Sequence, residues 1–164
     1  KAKILRWYGI DREFKGDIYW KYQIKEIGYK YHMNDVAATM LDVQLDRFDK
    51  IAERRKQITD RYLSELKAVP GFTMLARNPD RESGNWLFTV LADRRDDFQK
   101  KLAENEIESH MVHVRNDICP IFGGVRQNLP VMNKVEDKYV SIPLHNHLTD
   151  EEVDKIIQTI KSGW

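Results

Sequence analysis

With 164 residues, 41% of them apolar and 32% charged, the chain has the composition of a globular domain that can bury a core without disulfides or metals. Its formal charge of +1 offers no basic field for nucleic acid or an anionic membrane, and no apolar run is long enough to span a bilayer. Cys119 is the only cysteine, so an internal disulfide is excluded and a reducing compartment, the cytoplasm, is the expected location.

The first nine residues read as the end of a helix. Ile4, Leu5 and Tyr8 have helical spacing, and Gly9 suits a C-terminal cap. A domain rarely opens part-way down a helix, so the chain is expected to be a fragment or to begin just inside an element. Tyr19–Ile27 is aromatic-rich and reads as extended, until Gly28 breaks it. Asn34 is a candidate N-cap, and Asp35 places a carboxylate in the first helical turn. The helical pattern changes phase near Leu45–Asp46. It then resumes to about Lys67 with Phe48, Ile51, Ile58, Tyr62 and Leu66 on one stripe, and stops at Val69-Pro70-Gly71.

Beyond the turn, Phe72–Leu75 and Trp86–Leu91 read as strands around a polar loop. Asp93 is expected to cap a helix over Arg94–Glu104, with Asn105 closing it in the left-handed conformation. Ile107–Val114 reads as another strand. Arg115–Asp137 shows no period and holds Pro120, Gly123, Gly124 and Pro130; so long an irregular stretch in a compact domain is functional or partly helical. Tyr139–Leu144 reads as a strand. Thr149-Asp150-Glu151-Glu152 is a capping box, with Leu148 and Val153 as its staple, before an amphipathic helix that Gly163 closes. The expected fold class is α+β: a long kinked helix or helix pair followed by a small, mainly antiparallel sheet with helices on one face.

Several clusters could carry chemistry. His110, His113, His145 and His147 lie near strand ends with Asp117 close in sequence, but their spacing matches no diagnostic zinc pattern. Ser109 and Ser141 lack a nucleophile-elbow context, and Cys119 has no helix N-terminus to activate it. His113-Val114-Arg115-Asn116-Asp117 leaves a strand end with an imidazole, a guanidinium, an amide and a carboxylate. Arg115 could grip a carboxylate or phosphate in a bidentate fork, or the segment could be a solvated turn. Lys30 and His32, just before a helix start, could present donors to an anion beside free backbone N–H groups. The alternative is a packed strand end with Lys30 in water.

The ordered set Gly28-Tyr29-Lys30-Tyr31-His32-Met33-Asn34, Ala37-Ala38, Gln44-Leu45, Trp86-Leu87-Phe88, His113–Asp117, Ser141–His145 and Leu148–Val153 resembles the DegT/DnrJ/EryC1/StrS family of pyridoxal-phosphate-dependent sugar aminotransferases of fold type I. The resemblance implies that this chain is the C-terminal part of such an enzyme. Residues 1–33 would be the tail of the large cofactor domain, 34–69 an inter-domain helical region, and 70–164 the small α/β domain. It also implies that the cofactor-bearing lysine lies upstream, in a missing N-terminal large domain.

In that family an asparagine at the position of Lys30 reaches the cofactor phosphate of the neighbouring subunit, and an arginine stands where this chain has His32. Lys30 and His32 are therefore the implied cofactor-binding residues, and a homodimer is implied with them. His113, Arg115 and Asn116 fall in a segment near the substrate and are the implied nucleotide-sugar contacts. No catalytic residue and no metal ligand is assigned to this chain. Pyridoxal phosphate is expected in the complete enzyme and not on this chain alone, which is expected to be inactive. The whole would move an amino group from an amino acid, commonly glutamate, to a nucleotide-linked keto-sugar for cell-surface polysaccharide or antibiotic synthesis. Two other classes compete: a free-standing binding or oligomerisation module derived from the small domain, and a metal hydrolase built on the histidines.

Overall fold

The computed structural model describes residues 1–13, 24 and 26–164. Most of the extended stretch expected over Tyr19–Ile27 lies outside these residues. The chain divides into two compact units, Lys1–Arg47 and Phe48–Trp164.

In the first unit, helix α1 (Ala2–Leu5) is a single turn ending at Arg6. Tyr8 and Gly9 then both take positive φ, 56° and 74°, which reverses the chain. Gly9 N–H returns to the Ile4 carbonyl at 3.0 Å, as in a helix C-terminal cap. Gly9 also makes a close crossing: a Cβ on it would stand 2.1 Å from the Glu26 carbonyl oxygen, and one on Gly28 would stand 1.8 Å from the Gly9 nitrogen. Only two glycines let these backbones touch. Helix α2 (Asp35–Leu45) starts where its cap predicts, with the Asn34 side chain accepting from Ala37 N–H at 2.8 Å. Helix α3 (Phe48–Glu65) follows after Asp46 and Arg47, at the expected change of phase.

The second unit holds the core. Strands β1 (Phe72–Met74), β2 (Phe88–Ala92) and β3 (Tyr139–Ile142) form an antiparallel sheet in the order β1-β2-β3. Phe88 faces Ile142, Val90 faces Val140, and Phe72 faces Ala92, so one side of the sheet is continuously apolar. Three helices cover that side: α3, α4 (Arg95–Glu104) and α6 (Asp150–Lys161). Tyr62 meets Phe88 edge-on at 5.0 Å between ring centres, and Phe98 lies 6.0 Å from Phe72. The buried Tyr62 hydroxyl donates to the Pro143 carbonyl at 3.0 Å. On the opposite side Thr89 and Ser141 pair their hydroxyls at 2.9 Å. The architecture is the α+β fold that the sequence pattern implies.

Three local expectations are corrected. Asp93 does not cap α4. Its carboxylate pairs with Lys138, its carbonyl accepts the Trp164 indole N–H, and Arg94 enters the helix at φ 52° instead. Asn105 is not left-handed, because its amide donates to the Lys101 carbonyl; the positive φ of 60° falls on Glu106. Ile107–Val114 is not a strand. Only His110 pairs, with Ser141, and the next hydrogen-bonded position toward the end of β3 would be Pro143, which has no N–H to donate.

The chain between that bridge and β3 contains a 3₁₀ turn at Pro120–Phe122 and helix α5 (Pro130–Val135). The expectation that so long an irregular stretch is partly helical agrees with this. The capping box of α6 is fully formed: Thr149 accepts from Glu152 N–H and Glu152 accepts from Thr149 N–H. No helix among the described residues is long and apolar enough to cross a membrane.

Candidate functional site

The first candidate segment is Gly28–Asn34. Tyr29 N–H donates to Leu5 O at 2.7 Å, Tyr31 N–H to Arg6 O at 3.0 Å, and Tyr8 N–H to Tyr29 O at 3.1 Å. Trp7 and Lys30 form the bridge between the two strands of chain. Side chains alternate along this extended stretch. Tyr29 and Tyr31 stack on one side at 5.5 Å, which leaves Lys30 and His32 together on the other. The His32 ring stands edge-on to Trp7 at 4.7 Å, and the Arg12 guanidinium lies 5.4 Å from the centre of the same indole.

Lys30 and His32 are both exposed. Two residues on, α2 begins. Asn34 satisfies the Ala37 N–H, while those of Asp35 and Val36 have no partner among the described residues. Two nitrogen-bearing side chains and a helix N-terminus make a donor set suited to a phosphate dianion. It fits the phosphate end of pyridoxal phosphate by its chemistry.

The second candidate segment, His113–Asp117, is built differently. Arg115 is only 6% exposed. Its Nε and Nη2 donate to the two Asp117 carboxylate oxygens at 2.6 and 2.5 Å. Nη2 also reaches the Gln127 carbonyl at 3.0 Å, and Nη1 reaches Asn133 at 2.8 Å and Glu136 at 2.9 Å. All five guanidinium N–H donors are thereby engaged inside the protein. Asp117 in turn accepts the Gln127 N–H at 2.6 Å, and Glu136 also pairs with Arg126. Hydrogen bonds from Arg115 hold the Asp117 carboxyl far below the usual carboxylate range and lower that of Glu136 as well; the same pairings raise Arg115.

The segment His113–Asp117, Arg115 included, borders a cavity of about 590 Å³, largely apolar, whose walls also include Phe122, Leu129, Met132 and Tyr139. The Tyr139 hydroxyl donates to the His113 carbonyl, and the His113 ring lies 6.3 Å from that of Trp86. His113, Arg115 and Asn116 thus border one cavity, but the Arg115 guanidinium gives all of its donors to the loop's own acceptors. Phe122, Met132 and Tyr139 escape a reading by motif, because nothing in their local pattern marks them. The signal for the Arg115 cluster was the acid two residues later, with a second acid at Glu136 inside the aperiodic stretch. A separate groove of about 510 Å³ between α3 and the β1–β2 connection is lined by Lys56, Arg77 and Asn85 and contains none of the expected residues.

Of the other histidines, His110, at the bridge to Ser141, and His145 line one pocket of about 390 Å³, and His147 lies 6.3 Å from His145, but no group of three or more potential ligands is placed to hold a metal among the described residues.

The sequence profile described as the DegT/DnrJ/EryC1/StrS aminotransferase family matches residues 1–161. The chain belongs to that family. The dTDP-4-amino-4,6-dideoxy-D-glucose transaminase of Escherichia coli is 29% identical over 81% of this chain and 38% of its own length. The sugar aminotransferase CalS13 from Micromonospora echinospora shares the fold at a TM-score of 0.86 and 30% identity, over 99% of this chain and 44% of that one. AtS13 from Actinomadura melliaura matches at a TM-score of 0.89 and 34% identity, over 99% and 43%. The chain therefore spans less than half the length of the family relatives it matches.

Proposed function

We propose that this chain is the C-terminal portion of a pyridoxal-phosphate-dependent aminotransferase that moves an amino group from an amino acid, glutamate, to a nucleotide-linked keto-sugar. The observation that carries this reading is the family match along residues 1–161 by a chain that spans about two fifths of its relatives' length. On this reading residues 1–33 end the large cofactor domain, 34–69 bridge the domains, and 70–164 form the small domain. The rest of the large domain lies upstream with the cofactor-bearing lysine, the working enzyme is a cytoplasmic homodimer, and this chain alone is inactive.

Lys30 and His32 hold the cofactor phosphate, which belongs to the neighbouring subunit. Lys30 acts as a point charge, and His32 is aimed by the Trp7 edge. The N–H groups of Asp35 and Val36 add the positive end of α2. Pyridoxal phosphate, when bound, supplies the electron sink for amino transfer. His113 and Asn116 contact the sugar nucleotide from the walls of their cavity. With no donor to spare, Arg115 enters this reading as the support of that wall.

The deciding experiment is to clone the reading frame upstream of Lys1 and assay its whole product with pyridoxal phosphate, glutamate and a panel of dTDP-, GDP- and UDP-linked keto-sugars. The expected result is an upstream domain bearing the cofactor lysine, with 2-oxoglutarate released over repeated turnovers only when a keto-sugar is present to take the amino group back from the cofactor. An upstream frame without such a domain, or no sugar-dependent release across the panel, overturns the reading in favour of a free-standing binding module.

A further inference from the structure

Arg115 and Asp117 are the only buried charged residues among the described ones. Their place in the chain gives that burial a purpose. After the single bridge at His110 the backbone leaves the sheet, and it rejoins only at Tyr139, where β3 begins. No ladder of strand hydrogen bonds holds the excursion between them.

The Arg115 fork does so instead. It ties the outgoing arm (Asp117) to the returning loop through the Gln127 carbonyl, and to α5 and its C-cap through Asn133 and Glu136. Asp117 closes the ring by accepting the Gln127 N–H. The two arms so joined are the two walls of the cavity: His113 and Asn116 on one, Phe122, Leu129 and Met132 on the other.

We infer that Arg115 is a positioning residue for the sugar substrate. It does not bind the nucleotide sugar itself. Through Asp117, Gln127, Asn133 and Glu136 it sets the separation of the walls, and so the placement of His113 and Asn116. This rests on the reading that the cavity receives the sugar nucleotide. A lysine cannot replace it, because one ammonium cannot span four acceptor groups in a planar fork.

The test uses the complete enzyme and three variants, R115K, E136Q and H113A. Neither Glu136 nor its second partner Arg126 is part of the cavity wall, so E136Q reaches the substrate through these pairings and not by contact. R115K and E136Q are expected to raise the KM for the nucleotide keto-sugar by on the order of tenfold, as small misplacements of substrate contacts do. The half-reaction with glutamate is expected to keep its rate, while hydrogen exchange at the Gln127 amide accelerates. H113A is expected to raise the same KM without changing that exchange.

If R115K and E136Q keep the wild-type KM while H113A raises it, the positioning role is overturned and the sugar site stands. If R115K keeps the KM and E136Q alone raises it, the fork is not what matters and the proposal fails. If H113A has no effect on the sugar KM, the assignment of the cavity falls and the positioning role falls with it. Unchanged thermal melting of the three proteins separates all of these from a loss of fold.

Discussion

Two segments of this chain look alike in sequence and are opposites in structure. Lys30–His32 and His113–Arg115 each set an imidazole two positions from a cationic side chain, in a stretch rich in aromatic or β-branched residues. At the first, the side chains stand in solvent and the backbone is what is locked, by its pairing with Leu5 and Arg6 and by the contact of Gly9 with Gly28. At the second, the side chain is locked, and the ladder that could have held the backbone stops after one bridge. An arginine with all five donors engaged serves its own loop, whereas an exposed lysine beside a helix start is free to meet an anion. Residue type does not decide which; the supply of nearby acids does. The acid nearest Lys30 in sequence is Glu26, four residues away and paired with Lys1, while Arg115 has Asp117 two residues away and Glu136 folded back onto it.

Four measurements would break or sharpen this contrast. The largest effect is expected for Gly28→Ala, whose Cβ would overlap the Gly9 nitrogen at 1.8 Å. Backbone cannot yield as a side-chain tip can, so the first unit should lose about 3 kcal/mol, the upper end of overpacking penalties. Rapid exchange of the Tyr29 and Tyr31 amides would report it, and protected amides would show that the crossing is not what locks the segment.

Next in size is Lys30→Ala in the complete enzyme. Removing a charge-assisted contact should weaken retention of pyridoxal phosphate by about tenfold or more. Melting should change little, because Lys30 is exposed. A variant that keeps its cofactor as tightly as the parent would move the phosphate site elsewhere.

The third is Asn34→Ala, which removes the acceptor for Ala37 N–H and should cost α2 about 1 kcal/mol. Amide exchange in the first turn measures it, with Asn34→Asp as the variant that restores the cap.

The fourth is a pH series on the second segment. Asp117 is depressed in the folded protein, so its contribution is complete above the ordinary carboxylate range near pH ~4 and disappears only as pH falls through the lowered value. Protection of the Gln127 amide should therefore be flat from neutrality to about pH 4 and fade only in stronger acid. Fading that begins near pH 5 would mean that the Arg115–Asp117 pair is weaker than its geometry indicates.

What could be read in advance follows the same physics. The helix over Asp150–Lys161 is legible because its cap, staple and apolar stripe are all local, and the structure places each of them. The Asn34 cap and the break after Leu45 are local too. The stretch Ile107–Val114 misleads, because a strand is a property of two chains and only His110 finds a partner, at Ser141; opposite Glu108 stands Pro143, which lacks a donor. Arg94 and Glu106 take the positive φ that composition would assign to a glycine or an asparagine nearby. At the candidate sites, sequence brings His113 and Asn116 together correctly but cannot reveal that Arg115 between them points into a cage of acids. Apart from Asp117, two positions away, that cage is assembled from residues twelve to twenty-one positions away.

The Trp164 side chain has a practical consequence. Its indole N–H reaches the Asp93 carbonyl at 2.6 Å, and its ring lies edge-on to Phe98 at 4.7 Å, so its emission is coupled to the packing between α4 and the sheet. Trp7, set against the His32 imidazole, senses a different neighbourhood. The polypeptide carries two tryptophans in each unit, Trp7 and Trp20 in the first and Trp86 and Trp164 in the second, and phenylalanine replacement of both in one unit would let the other half be watched through a titration without any dye.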